Sequence, residues 1–245
     1  MISPLELSII IPALNEEGRL PKTLHRIHAY LSARHLRAEV LVVDDGSRDN
    51  TRKIVEDLTG RFPEVRLISN GRHCGKGFSV RHGMLEARGE IALFSDADLS
   101  APIEEADKLV AALREGHYDG AIGSRAIDRG LIEVHQSRLR ELAGIIFNHV
   151  ARSVTGVRFA DTQCGFKAFR RARARILFEQ QRIQGFGFDP EILFLARRHG
   201  LRVVEIPVRW AHHRGTKVNV FTDGVRMLFG LLAIRWNDLL GRYPS

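Results

Sequence analysis

The 245-residue chain is poor in the features that mark several large protein classes. Its only cysteines are Cys74 and Cys164, with no CxxC pair. That excludes a disulfide framework and a zinc ribbon, and it fits a reducing compartment. No stretch reaches the ~18 uncharged apolar residues of a spanning helix. The longest candidate, 227–234, stops at Arg235, and the apolar segment 5–12 is too short and broken for a signal peptide. The chain therefore reads as soluble or peripheral. Aromatic residues are only 7% of the chain and do not interleave with its basic residues, which argues against a single-strand nucleic-acid surface. No repeat, low-complexity tract or Pro/Gly/Ser linker divides it. No GxGxxG follows the first apolar run, which disfavours a dinucleotide-binding domain. The loop Gly71–Gly77 is one residue short of a P-loop, and Gly77 stands where a magnesium-holding Ser/Thr would be.

What is present is a core-forming 44% of hydrophobic residues and a net charge of +8. The excess is one-sided: residues 1–133 carry a net of −3, residues 134–182 a net of +7, and residues 183–245 a net of +4. A basic second half suits an anionic partner, whether a membrane surface, a phosphorylated substrate or nucleic acid, or simply a solvated surface.

Short apolar runs at 7–11, 40–43, 65–68, 91–94 and 120–122 read as buried strands. Helical patterns lie between them, at about 16–34, 50–60, 78–88 and 103–115, with Asp49 or Asn50 as the cap of the second. This alternation predicts a mostly parallel sheet with helices on both faces. Farther on, an amphipathic helix is expected over 137–155, with Leu139, Leu142, Ile146 and Val150 on one face. A helix over 189–199, a strand over 202–208 and a helix over 223–240 follow. The last carries a stripe of Val225, Phe229, Leu232, Trp236 and Leu239.

Ligands of such sheets bind at the carboxyl ends of the strands. The residues there are Pro12–Glu17, Asp44–Ser47, Asn70–Gly77, Asp96–Asp98 and Gly123–Arg125. In extended backbone Asp96 and Asp98 would point the same way, and two converging carboxylates call for a cation between them. A divalent ion completed by substrate phosphates suits the pair. A helix cap or an ordinary loop pair is the simpler alternative. Lys76, in the glycine-rich loop, would stand near phosphate or base. The adjacent His212 and His213 point to opposite faces of a strand, so they read as surface or lid residues rather than joint chelators.

At these motifs the sequence resembles the family 2 glycosyltransferases of the GT-A fold, from about Leu5 to about Trp210. The segments 9–17 and 42–51 resemble that family's opening strand and nucleotide-binding strand end, and Asp96-Ala97-Asp98 its metal-binding DxD. Gly123-Ser124-Arg125, Asp161–Lys167, Phe188–Glu191 and Glu205–Trp210 resemble dolichyl-phosphate β-glucosyltransferases. Dolichyl-phosphate mannosyltransferases are near relatives with a different sequence at Cys164–Lys167. Eukaryotic glucosyltransferases of this kind begin with a membrane-spanning helix, and no such helix is expected from these residues.

The resemblance implies an α/β catalytic domain over 1–217 and a C-terminal amphipathic interface helix over 218–245. It implies transfer of glucose from UDP-glucose to a polyprenyl phosphate with inversion, assisted by Mg2+ or Mn2+. Mannose from GDP-mannose, and a non-catalytic nucleic-acid-binding module, are the alternatives. Pro12, Asn15, Glu16, Asp45 and Ser47, with Asp44 if the pair is reversed, would surround the uridine. Asp96 would touch ribose or metal, and Asp98 would bind the metal. Arg125, Arg138 and Lys167 would position the acceptor phosphate, which arginine can grip with a bidentate fork. Asp189, with Asp161 as a second candidate, would act in catalysis, although Asp189 before Pro190 also reads as a helix cap. The segment 214–217 would form a lid or a plain basic loop. The expected location is the cytoplasmic face of a membrane, held peripherally, without nucleic acid and with self-association left open.

Overall fold

The unbroken apolar runs become strands covered on both faces. In the computed structural model, which describes residues 4–213 and 220–244, the chain runs β1 (Leu7–Ala13), α1 (Leu20–Ala33), β2 (Ala38–Asp44), α2 (Thr51–Thr59), β3 (Val65–Ser69), α3 (Lys76–Glu86), β4 (Ile91–Phe94), α4 (Ala106–Arg114) and β5 (Gly120–Ser124). It continues through β6 (Ile132–Val134), α5 (Arg138–Thr155), β7 (Lys167–Arg170), α6 (Arg171–Gln180), α7 (Phe188–Arg198), β8 (Val203–Pro207), β9 (Trp210–Ala211) and α8 (Val220–Leu239). Among the described residues, the main sheet has seven strands in the order β3-β2-β1-β4-β7-β5-β8. All its pairings are parallel except those of β7, which runs antiparallel between β4 and β5. β6 and β9 form a small separate ribbon.

The period-two alternation of strand side chains divides the core. Ile9, Ile11, Val40, Val42 and Leu93 face α1, α2 and α4 through Leu24, Ile27, Val55 and Leu109. Their neighbours Ile10, Leu41, Val43, Ala92 and Phe94 face α3, α6 and α7 through Val80, Met84, Phe178, Phe188 and Ile192. The strands and helices expected in the first half are all present, with ends moved by a few residues. α1 starts at Leu20, after a turn in which Leu20 N donates to Glu16 O. Pro21 occupies its first turn, where a missing N–H costs nothing. At α2 the capping carboxylate is that of Asp49, whose Oδ1 accepts from Thr51 N at 2.9 Å; the Asn50 side chain makes no cap bond.

Four elements had no expectation: the short ribbon strands β6 and β9, and β7 and α6. β7 is four residues long and basic at both ends, and α6 that follows carries a weak apolar stripe among arginines. Tertiary pairing makes β7 a strand: Ala168 and Phe169 are fully buried between β4 and β5.

α5 and α8 lie against each other. α8 buries Leu231 and Ile234 in the core beneath α3, α6 and α7, so it is built into the body of the molecule. Its other side, with the matching face of α5, stays apolar and open. Leu139, Leu142 and Ile146 are 55–61% exposed, and Phe229, Leu232, Trp236 and Leu239 are 60–74% exposed. The sequence stripes are thus outward faces. Met227 packs inward while Phe229 points out. No helix among the described residues is long and apolar enough to cross a membrane.

The ring of Phe169 stacks edge-on against Phe178 in the centre of this core, with centroids 6.2 Å apart. Phe169→Ala is expected to cost about 3–5 kcal/mol in urea unfolding. Leu142→Ala, on the open face, is expected to stay within about 0.5 kcal/mol.

Candidate active site

The loops after β1 and β2 are laced together before any ligand arrives. Asn15 adopts a left-handed conformation (φ 52°) and its N–H donates to Ser47 Oγ at 2.8 Å. Asn15 Oδ1 accepts from Arg48 N, Asp44 Oδ1 from Ser47 N, and Thr51 Oγ1 from Glu16 N. The Glu16 carboxylate lies 2.9 Å from Arg19. Pro12 sits at the end of the same strand, paired in register with Val43. Asp45 is buried, and its oxygens accept from Cys74 N and Gly75 N at 2.9 Å and from Asn70 Nδ2 at 2.8 Å, with His73 Nδ1 at 2.6 Å. These side-chain partners all belong to 70–75, so in this structure the Asp45 carboxylate shapes the glycine-rich loop. Sequence alone did not distinguish that role from direct ligand contact.

That loop delivers Lys76 to the start of α3, with Nζ 2.5 Å from Asp96 Oδ1. Asp96 and Asp98 do not sit on extended backbone as expected. The strand ends at Phe94, and the chain turns so that Leu99 N donates to Asp96 O at 3.0 Å. Leu99 is left at φ 49°, a strained position for a non-glycine residue. Asp98 Oδ1 accepts from Ser100 N, and its Oδ2 is 3.8 Å from Arg19. Both carboxylates still line one cavity of about 260 Å³, together with Lys76, Phe186, Asp189 and His213. Gly165 packs so closely on Asp96 that a Cβ there would overlap its carboxylate. The Asp96–Asp98 pair offers hard oxygen donors, and no third His, Cys, Asp or Glu groups with it among the described residues. This set fits a divalent ion whose remaining places are filled by substrate phosphates.

Asp189 reaches the same cavity from α7. The helix begins one residue before it, with Gly187 at the cap position. Asp189 therefore lies in the first turn, where its carboxylate complements the helix dipole, and does not cap. Its Oδ1 accepts from Lys167 Nζ at 2.5 Å, and the ammonium also donates to Cys164 O at 2.6 Å. Burial pushes the Asp189 carboxyl above its ordinary range, partly offset by the charges of Lys167 and Lys76. Lys167 itself is completely buried. The expectation that it grips an acceptor phosphate is corrected: its ammonium is enclosed beneath the cavity and committed to Asp189.

Arg125 grips Asp161 through Nε–Oδ2 at 2.6 Å and Nη2–Oδ1 at 2.8 Å, and lies 5.4 Å from the Trp210 ring centre. Burial alone would raise the Asp161 pKa, but the arginine outweighs it and brings it down to about 2. Such a carboxylate is a poor base, so Asp161 reads as the partner that aims Arg125.

A second cavity of about 350 Å³ adjoins the first and shares Arg125, Arg140, Gln163 and Trp210 with it. Arg129 and Arg152 also line it, whereas Arg138, the expected phosphate ligand, is exposed at the start of α5 and lines neither cavity. The signal that was available is the spacing of Arg140, Gly144, Asn148 and Arg152, which recur every four residues along one helix face. Asn148 braces that wall, donating to Ala160 O at 2.7 Å and accepting from Thr162 Oγ1 at 2.8 Å. His212 and His213 line the first cavity, with the His212 ring stacked on Trp210. Residues 214–217, the expected lid, lie outside the described residues.

The family model for glycosyl transferase family 2 matches residues 8–178. A dolichyl-phosphate beta-glucosyltransferase of Trichomonas vaginalis is 35% identical over 238 residues, covering 93% of this chain and 72% of that protein. The enzyme of the same name from Drosophila melanogaster is 37% identical over 251 residues, covering 98% and 77%. Among solved structures, glucosyl-3-phosphoglycerate synthase from Mycobacterium tuberculosis, crystallised with Mn2+, UDP-glucose and phosphoglyceric acid, aligns with a TM-score of 0.66 at 21% identity. That alignment covers 97% of this chain and 79% of that one. It shares the mostly parallel sheet flanked by helices. With the matched model spanning most of the sheet and all five strand-end segments, the chain belongs to glycosyl transferase family 2.

Proposed function

We propose that this glycosyltransferase moves glucose from UDP-glucose to a polyprenyl phosphate of the dolichyl type, with inversion at the sugar's C1. One observation carries the reading. The cavity holding Asp96, Asp98 and Asp189 opens into a second cavity walled by arginines, with Arg125 and Arg140 between them. That juxtaposition provides a place for a nucleotide sugar beside a place for a second phosphate. The relatives named above, acting on dolichyl phosphate, support the acceptor class.

In this reading Pro12, Asn15, Glu16, Asp44 and Ser47 border the uridine, while Asp45 acts through the loop it shapes. Asp96 and Asp98 would hold Mg2+ or Mn2+, which when bound neutralises charge on the leaving diphosphate. Lys76 adds a second positive charge at the same place. Arg125, Arg140, Arg129 and Arg152 hold the acceptor phosphate in a fork that a lysine would not supply. A phosphate monoester is largely ionised near neutrality, with a second pKa of roughly 6, so its oxygen can attack without a base. Asp189 then orients the reacting sugar from a carboxylate fixed by Lys167, rather than removing a proton.

The open apolar faces of α5 and α8 lie beside the arginine-lined cavity. We assign them to the cytoplasmic surface of a membrane, where a lipid acceptor resides and anionic headgroups meet the basic half of the chain.

Turnover with a panel of UDP- and GDP-sugars and a short polyprenyl phosphate is expected to select UDP-glucose; selection of GDP-mannose would move the reading to a mannosyltransferase. Asp98→Ala is expected to remove both divalent-dependent turnover and any enhancement of UDP binding by Mn2+. Asp189→Asn is expected to lower turnover about a hundredfold and to cost stability, because it leaves the buried Lys167 unpaired. The double variant Lys167→Met, Asp189→Asn is expected to recover stability but not turnover. Cosedimentation with anionic vesicles is expected to weaken with salt and with Trp236→Ala plus Phe229→Ala, and salt-insensitive failure to bind would exclude the membrane assignment.

A further inference from the structure

After α8 the chain reverses at Gly241, whose φ is 65°, and comes back against α7. Tyr243 is buried there, 1% exposed, with its ring 5.9 Å from that of Phe194. Its hydroxyl donates to Glu191 Oε1 at 2.6 Å. Glu191 is itself completely buried on α7, two residues from Asp189. Its carboxylate also accepts from Arg182 N at 3.0 Å and Ile183 N at 2.9 Å. The Arg182 side chain returns across the gap, donating to Arg242 O through Nε at 3.1 Å and Nη2 at 2.8 Å. The segment after α8 and the segment 181–187 are thus tied together twice, through one buried carboxylate and through the Arg182 guanidinium. Such charge-assisted bonds are stronger than neutral ones, and a buried carboxylate without them would be costly.

Segment 181–187 is in turn pressed against the glycine-rich loop. Gln181 Nε2 donates to Gly77 O at 2.9 Å, and Phe78 N donates to Gln184 O at 3.0 Å. The approach is so close that a Cβ on Gly75 would lie 2.6 Å from Gln184 O, and one on Gly77 would lie 2.7 Å from Ile183 O. The same segment carries Phe186, which lines the cavity with its ring 5.9 Å from Lys76 Nζ, and it leads directly into Asp189. Nothing in Tyr243 or Glu191 touches the cavity. They act on it through the backbone they hold.

We propose that Tyr243 and Glu191 form a clamp that positions segment 181–187 for glycosyl transfer, so that the chain beyond α8 sets the placement of Phe186, Lys76 and Asp189. Tyr243 and Glu191 are positioning residues. The proposal rests on the transferase reading of the cavity. It also links α8, the helix assigned above to the membrane, to the reacting end of the site through a run of hydrogen bonds rather than through ligand contact.

The test uses the full chain and Tyr243→Phe, which deletes one hydroxyl and keeps the ring against Phe194, with Glu191→Gln as the second variant. Amide hydrogen exchange, UDP affinity and steady-state turnover are measured on each. The expected result is faster exchange confined to 181–187 and the adjoining glycine-rich loop, with a fall of about tenfold in kcat and a smaller loss of UDP affinity. Unchanged exchange would overturn the clamp, as would faster exchange with kcat intact. Exchange raised across the whole chain, with UDP affinity and kcat falling together, would assign Tyr243 to general stability instead. If the wild-type chain transfers no sugar to a polyprenyl phosphate, the transferase reading fails on its own, and the exchange measurement still decides whether the clamp exists.

Discussion

Asp96, Asp98 and Asp189 line one cavity and Asp161 the cavity beside it, and three of the four are held close by one cation each: Asp96 by Lys76, Asp161 by Arg125, and Asp189 by Lys167. Without that matching the site could not be assembled, because converging like charges in a partly buried space repel one another and lose hydration. The most demanding pair is Lys167–Asp189, since its ammonium has no exposure at all. It is tolerated because it has a carbonyl and a carboxylate as partners, with the Phe94 ring 5.6 Å away. Burying an ion pair is rarely the most stabilising choice for a core. Its value here lies in fixing a carboxylate that faces a ligand cavity from below.

The position of Lys167 follows from the one antiparallel strand of the main sheet. β7 inserts between β4 and β5 and so brings the carboxyl end of β4, with Asp96 just beyond it, next to the start of β7. The loop before β7 then lies against Asp96, and Gly165 is the residue small enough to permit the contact. The acidic first half and the basic second half of the chain are interleaved at this seam. The strand ends of the first half contribute Asp96, Asp98 and Lys76. The second half contributes Lys167, Asp161, Asp189 and the arginine face of α5. The charge asymmetry along the sequence becomes a division of labour across one cavity wall.

The same arrangement explains why the outer faces of α5 and α8 remain apolar. α5 turns Arg140, Gly144, Asn148 and Arg152 toward the second cavity, and α8 turns Leu231 and Ile234 toward the core. Their remaining sides carry exposed leucine, isoleucine, phenylalanine and tryptophan. An exposed apolar surface of this kind marks a contact site. In the proposed reading, a lipid-borne acceptor phosphate approaches from that side.

The sequence by itself determined the layered α/β architecture, because uninterrupted apolar runs such as Ile9–Ile11 and Val40–Val43 are stable only when covered on both faces. It also placed Asp96 and Asp98 at the end of one strand and marked the apolar stripes of α5 and α8. Tertiary structure alone decided which charged residues face a ligand and which serve their neighbours. Asp45 turned out to organise a loop, Lys167 to hold Asp189 from beneath, and Asp161 to aim Arg125. Arg138 gave way to Arg140, two residues on, since a helix rotates its faces by about 100° per residue. β7 could not be read locally, since four residues with basic ends acquire strand character only from the neighbours that pair with them. The bond from Tyr243 to Glu191 spans 52 residues of chain, and no local pattern encodes a contact made at that separation.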